Sequence, residues 1–388
     1  MSKAPHPYRQ QPDRAFWARA VAQGFDAAQL PSLTAPLFTA ADKLVSAGSC
    51  FAANMVPWLE KAGLQYLRCE PTPAAFNAFP EALGYDLYSA AYGNIYTARQ
   101  MRQLLDRALG LFQPMEDRWH EDKRVVDPFR PGLRYAARSD AEFEALTRQH
   151  LNAVRRAFSE ASVVVFTLGL TEGWVSLLDG AVYPACPGTI AGSFDAARHD
   201  FHNFSVAETR DDLLAFHDRL REINPAARLI LTVSPVPLVA TATDRHVVEA
   251  TILSKSILRA AVAEAQAARP EIGYFPAYEI VTGPQAPEIF FEADRRDVSR
   301  HGVACVMNAL LAHCEAPERA AALAMLEEWC GGQGPAPVRQ LQAPSLGLNY
   351  GLATGRYQTT AAAGTDPLDA DCEEMMVANI VLAQRLQD

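Results

Sequence analysis

The chain has 388 residues, 49% of them apolar and 21% charged, with a formal net charge of −10. That balance fits a globular protein in water, with room for one large domain or two ordinary ones. The acidic excess argues against a nucleic-acid backbone or an anionic membrane surface as the main partner, and no apolar run is long enough to cross a bilayer.

Residues 1–42 open on Met1-Ser2-Lys3-Ala4-Pro5-His6, with no apolar signal core, so a cytoplasmic protein is expected. Their prolines and aromatics (Tyr8, Phe16, Trp17, Phe25, Phe38) suggest a leader packed on a core. Residues 44–48 predict a short buried strand. A helix follows to about residue 62, with Gly63 as its stop. A second short strand is expected at 64–68. Residues 70–160 are too long for a simple connection and read as an insertion over the sheet edge. Within it, 97–111 and 140–160 have helical spacing, and 112–133 reads as an ordered surface loop. Residues 162–168 are continuous, apolar and β-branched, the pattern of a strand buried on both faces. A loop at 169–174 and a Gly/Pro/Asp-punctuated excursion at 180–204 come next. Helices are expected at 211–223, 246–268, 302–312 and 317–329, with strands at 228–233 and 272–275. Residues 331–368 are rich in Gly, Pro, Ala, Gln and Thr and read as a linker. Residues 372–386 end the chain as a short amphipathic helix, a surface for a protein partner.

Seven cysteines, an odd number with no Cys-x-x-Cys pair, predict neither a disulfide framework nor a structural zinc site. His199 and His202 lie close together but have no obvious third ligand, so no metal and no cofactor are expected.

Ser49 falls where the first strand hands over to a helix. In an open parallel sheet, ligands gather at that edge. Free backbone amides and the positive end of the helix dipole favour developing negative charge there. Gly48 permits a sharp turn and close approach. The competing reading makes Ser49 only a helix cap, although the reciprocal Glu or Gln of a capping box is replaced by Ala52. Cys50 is a minor alternative nucleophile.

Gly48-Ser49-Cys50-Phe51-Ala52 resembles the name-giving motif of the GSCFA family, a branch of the SGNH (GDSL-like) hydrolase superfamily. Three further blocks resemble its landmarks in order: Tyr92-Gly93-Asn94-Ile95-Tyr96-Thr97, the stretch from Phe166 to Trp174, and Thr232-Val233-Ser234-Pro235-Val236-Pro237. The resemblance covers about residues 40–310. It implies a flavodoxin-like three-layer α/β/α sandwich with a parallel sheet, here spanning 43–330 with a helical insertion and followed by a C-terminal tail. For active superfamily members it implies ester hydrolysis or acyl transfer by a serine.

By the same resemblance, oxyanion donors come from the Ser49 amide, from a second loop (Gly93, Asn94) and from a third (Gly169, Thr171, Glu172). Thr171 stands where many relatives carry an asparagine amide. The usual Asp-x-x-His is also altered: Asp294 is present, but Asp297 occupies the histidine position. An unperturbed Asp has a pKa of about 4 and is a poor base near neutrality. His246, in Thr243-Asp244-Arg245-His246, and His301 are the substitutes, with His246 preferred. Arg295 and Arg296 suit a bidentate contact to a substrate carboxylate or phosphate. Lys255 resembles a Ser-Lys base, but its place inside a helix predicts ordinary solvation.

The leading expectation is a serine esterase or acyltransferase acting through an acyl-enzyme at Ser49, on a small-molecule or glycan acyl ester. The alternative is a catalytically degenerate protein of the same fold that binds a glycan, an acyl ligand or a protein partner.

Overall fold

The computed structural model describes residues 6–31, 36–72, 84–85 and 87–330. The expected tail helix at 372–386 and the linker before it lie outside the described residues.

The strands are β1 (Phe38–Thr39), β2 (Lys43–Ala47), β3 (Gln65–Tyr66), β4 (Trp119–Glu121), β5 (Arg124–Val126), β6 (Val163–Leu168), β7 (Glu172–Ser176), β8 (Val182–Tyr183), β9 (His199–Asn203), β10 (Arg228–Val233), β11 (Gly273–Tyr274) and β12 (Cys314–Glu315). The helices are α1 (Cys50–Ala53), α2 (Val56–Lys61), α3 (Ala98–Ala108), α4 (Asp140–Glu160), α5 (Val206–Ile223), α6 (Val247–Ala268), α7 (Ala277–Thr282), α8 (Arg300–Ala312) and α9 (Arg319–Trp329).

Five strands form a parallel sheet in the order β3-β2-β6-β10-β11. Numbered among themselves along the chain, they run 2-1-3-4-5, the flavodoxin-like order, flanked by helices. Every residue of β6 is buried, and so are Leu229 to Val233 of β10. A sheet covered on both faces requires such continuous apolar runs. Helices α3 to α6 pack on one another; α7, α8 and α9 form a second group, with α2 against α9. The strand order reverses between β2 and β6. In this class of sheet, ligands bind beyond the carboxyl ends of the strands at such a switch point.

Several local expectations change. The helix expected from 50 to 62 is two pieces, α1 and α2, with Asn54 and Met55 between them. Pro57 explains the break: it has no amide to give and its ring crowds the carbonyl four residues back. Residues 112–133 are not loop throughout, since β4 and β5 pair there as an antiparallel hairpin. Residues 169–204 hold a small antiparallel sheet, β8-β7-β9, where a loop and an irregular excursion were expected. Helix α5 starts five residues before position 211, because Ser205 and Glu208 form a reciprocal capping box. No helix among the described residues is long and apolar enough to cross a membrane.

Candidate active site

Strand β2 is buried from Leu44 onward and delivers the chain to Gly48. Gly48 has φ +151, and a Cβ on it would lie 2.8 Å from the Ala52 Cβ, the Thr167 Cβ and the Thr167 carbonyl oxygen. Only glycine fits where β2, β6 and α1 converge so closely.

Ser49 is extended (φ −103, ψ −168) and occupies the N-cap position of α1, but its side chain makes no capping bond. The residue is 5% exposed. Its hydroxyl has no hydrogen-bond partner among the described residues, yet it is not one of the sealed polar atoms. The capping reading therefore does not describe what this hydroxyl does. The Ser49 carbonyl is occupied, accepting from the Ala52 amide and the Tyr88 hydroxyl, each at 2.7 Å. The amides of Ser49 and Gly93 donate to none of the described residues.

One wall of this edge is the Gly93–Asn94 loop. The Ile95 amide donates to the Gly48 carbonyl at 2.8 Å, and Asn94 Oδ1 lies 3.4 Å from the Tyr88 hydroxyl. Gly93 turns the loop at φ +66. The peptide of Ala91 is clamped from both sides. Its amide donates to Glu70 Oε2 at 2.8 Å, and its carbonyl accepts from Arg130 Nη1 at 3.1 Å. Glu70 Oε2 also meets His150 Nδ1 at 2.7 Å, and Arg130 Nε donates to Asp127 Oδ2 at 2.8 Å. All four side chains are buried. Burial alone would raise the Glu70 carboxyl, but the charges and hydrogen bonds of His150, Arg130 and the Ala91 amide outweigh it and hold it below its ordinary value. Burial, then the Arg130 charge, push His150 down against the pull of Glu70.

The other wall is the Gly169–Thr171 turn after β6. The Gly169 and Leu170 amides both donate to the Tyr96 carbonyl, at 2.9 and 3.0 Å. The Gly169 carbonyl accepts from Lys255 Nζ at 2.7 Å. Lys255 is 1% exposed, so the expected helix solvation is wrong: its place in α6 faces the sheet, not water. Beside it, Ser254 Oγ accepts from the Thr171 amide at 3.0 Å. Thr171 is fully buried, and its hydroxyl donates to Asn203 Oδ1 at 2.7 Å. Glu172 accepts from the Thr241 hydroxyl at 2.7 Å and from the Ala242 amide at 3.3 Å. Burial pushes its carboxyl up. Glu172 also lines a cleft of about 280 Å³ with Trp174, Phe201, Leu238 and Cys186.

The groups considered as bases lie in other settings. His246 is exposed and caps α6, with Nδ1 accepting from the Val248 amide at 3.2 Å. Asp244 is exposed as well and makes no hydrogen bond or ion pair with that ring. His301 sits half-buried in the first turn of α8, with no hydrogen bond among the described residues. Asp294 is exposed, and its Oδ1 accepts from the amides of Arg296 and Asp297 at 2.9 and 3.0 Å, closing a turn on itself. Arg296 donates to Asp297 Oδ1 at 2.9 Å, and Arg295 to Glu288 at 3.3 Å. None of these side chains hydrogen-bonds to Ser49. His199 and His202 fall on opposite faces of β9, paired with Glu116 at 2.9 Å and Glu208 at 2.8 Å. Among the described residues no cluster of His, Cys, Asp and Glu could hold a metal ion.

Sequence reasoning missed Glu70, His150 and Arg130, which are far apart along the chain and meet only through packing. Asn203 was hidden by reading 180–204 as irregular. A period-two test over residues 199–203 was the one signal that could have exposed it. Among curated proteins, no sequence matches the chain. The GSCFA family model matches residues 43–310, a span from the start of β2 to the last turn of α8 that contains Ser49 and both walls around it, and the chain belongs to the GSCFA family.

Proposed function

We propose that this chain is an SGNH-like serine hydrolase or acyltransferase acting on an acyl ester, with a carbohydrate-linked ester as the substrate class. The observation that carries this reading is the Ser49 hydroxyl: without a hydrogen-bond partner among the described residues, not fully sealed, and set at the switch point between β2 and β6. Ser49 Oγ would bond to the acyl carbon while its proton passes to a base. The ester C–O bond then breaks, and the proton goes to the departing oxygen. Water or a sugar hydroxyl releases the acyl group. The unbonded Ser49 and Gly93 amides are the first two donors for the oxyanion.

The setting of His246 favours the second reading, a binder rather than a catalyst. In the neutral ring, the Nδ1 lone pair is held by the Val248 amide, so Nε2 carries the hydrogen and offers no lone pair to Ser49. To act as base, His246 must first leave its cap. His301, with no partner among the described residues, is free of that constraint.

A fluorophosphonate serine probe and a panel of small acyl esters separate the readings. The hydrolase reading expects labelling and turnover, both lost in Ser49→Ala with the fold retained. A folded wild-type chain that neither labels nor turns over esters leaves the binding reading. Labelling that survives in Ser49→Ala moves the nucleophile, with Cys50 as first suspect.

A further inference from the structure

We propose that a small cavity between α3, α4 and the Gly93–Asn94 loop binds one small monovalent anion, of halide or formate size, taken up together with a proton on His150. The site is independent of the hydrolase reading. Gln100 and Arg107 of α3, His150 of α4, Asn94 of the loop, Phe129 and Arg130 help to enclose it, and no carboxylate among the described residues lines it. The cavity measures about 30 Å³. A water needs about 10–15 Å³ of such space, so there is room for about two waters or one small ion.

Arg107 carries the argument. It is 6% exposed, and its side chain makes no hydrogen bond or ion pair among the described residues. Its Nε is sealed without a partner, and its Cζ lies 4.0 Å from the centroid of the Phe129 ring. Asp127 attracts it but bonds instead to Arg130 Nε at 2.8 Å and to the Phe129 amide at 2.9 Å. A buried cation without a hydrogen-bonded partner is costly, and an anion in the cavity offsets that cost. Gln100 adds a donor. Its Oε1 accepts from the Tyr96 and Thr97 amides at 3.1 and 2.9 Å, which fixes the way the amide lies. Its Nε2 is left with no partner among the described residues and is not sealed.

His150 decides the proton. The Glu70 carboxylate at 2.7 Å can only accept, so Nδ1 carries a hydrogen. In the neutral ring Nε2 is then a bare lone pair, and it is sealed without a partner. That lone pair repels an anion. When a proton from solvent bonds to Nε2, it becomes a further donor. The charged groups around the ring are Glu70, Asp127, Arg130 and Arg107, two of each sign. Tyr92, also lining the cavity, keeps its proton on the Ser46 carbonyl. An imidazolium and a monovalent anion together keep this cluster neutral, whereas either one alone leaves a buried charge uncompensated. The bland account is a pair of waters bridging Arg107 to the His150 lone pair. It gives both groups a partner but takes up no proton and leaves the guanidinium without a bonded counter-charge.

The test is a crystal of the full chain grown with sodium bromide, with diffraction measured at the bromine absorption edge. An anomalous peak in the cavity, in contact with Arg107 and Gln100, is expected. Waters there with no anomalous signal overturn the proposal, and this reading needs no variant to fold. In solution, bromide should raise the unfolding temperature of the wild-type chain relative to Arg107→Met, because a ligand of the native state alone stabilises it while general salt effects are common to both. An equal response in the two folded chains overturns the site. Burial and the Arg130 charge hold His150 below its ordinary value, so the ring of the empty site is neutral at pH 7 and above. The apparent bromide affinity should therefore weaken about tenfold from pH 7 to pH 8, one proton per anion, and His150→Gln should abolish that dependence. Bromide bound in the cavity with the same affinity at both pH values overturns the coupled proton.

Discussion

The loop carrying Gly93 and Asn94 is held from behind by ions, whereas the turn from Gly169 to Thr171 is held by hydroxyls, backbone groups and one lysine. On the first side, Glu70 and Arg130 grip the two ends of the Ala91 peptide, and His150 closes on Glu70. On the second, Lys255 takes the Gly169 carbonyl, Ser254 takes the Thr171 amide, and Thr171 passes a hydrogen bond to Asn203. Both walls face the same serine, yet they respond to different perturbations. A buried ionic cluster fails abruptly when one member is removed, because the others are left charged and dry. The neutral hydroxyl and backbone links of the second wall each lose only what one bond contributes, unless a buried group is left without a partner, and Lys255 is its single ammonium.

The largest expected effect follows from breaking the ionic wall. Glu70→Ala leaves the Ala91 amide, His150 and part of Arg130 without their acceptor. It should destabilise the protein by about 3–5 kcal/mol, read from the denaturant midpoint. A loss under about 1 kcal/mol would mean that the cluster is not what holds this wall.

A smaller effect is expected from Lys255→Met, which keeps the stem and deletes the ammonium. The variant relieves the burial of a charge but leaves the Gly169 carbonyl unsatisfied. The two changes oppose each other, and the net loss should stay within about 1–3 kcal/mol. A loss as large as that of Glu70→Ala would erase the contrast between the walls.

The smallest effect is a pH slope. His150 and Glu70 both have folded-state pKa values below their ordinary 6.5 and 4.5. For each, the unfolded chain binds protons first as pH falls, so acid destabilises the native state. His150 contributes as pH drops below about 6.5 and Glu70 below about 4.5. In His150→Gln, thermal unfolding should therefore lose the slope of the upper window, and the slope of the lower should weaken, because His150 exerts the largest pull on the Glu70 carboxyl. An unchanged upper slope would assign it to another group.

How much of this was legible beforehand depends on the range of the interaction. The bounds of α4 and β10 could be read almost to the residue, because a capping serine, a helical stripe and a β-branched run are local signals. The Gly48–Ser49 junction was legible for the same reason: a strand, a glycine and a helix start are neighbours in the chain. The β7–β8–β9 sheet was not, since its strands are only two to five residues long and β9 is mostly polar, so no sustained apolar run marks them. His246 illustrates the limit from the other side. Its position after β10 was readable, but whether its ring reached a serine or its own helix amide was a matter of rotamer and packing.

The sequence by itself determined the layered α/β class, the strand order's raw material, and the serine at the first strand–helix junction, all through contacts between near neighbours. Only the tertiary structure decided what surrounds that serine. Glu70 meets His150 across 80 positions, Thr171 meets Ser254 across 83, and Gly169 meets Lys255 across 86. These are buried polar contacts, and burial obliges each group to find a partner wherever the fold brings one. Sequence spacing carries no record of that choice, because it is made by the sheet order and by the helices that close over it.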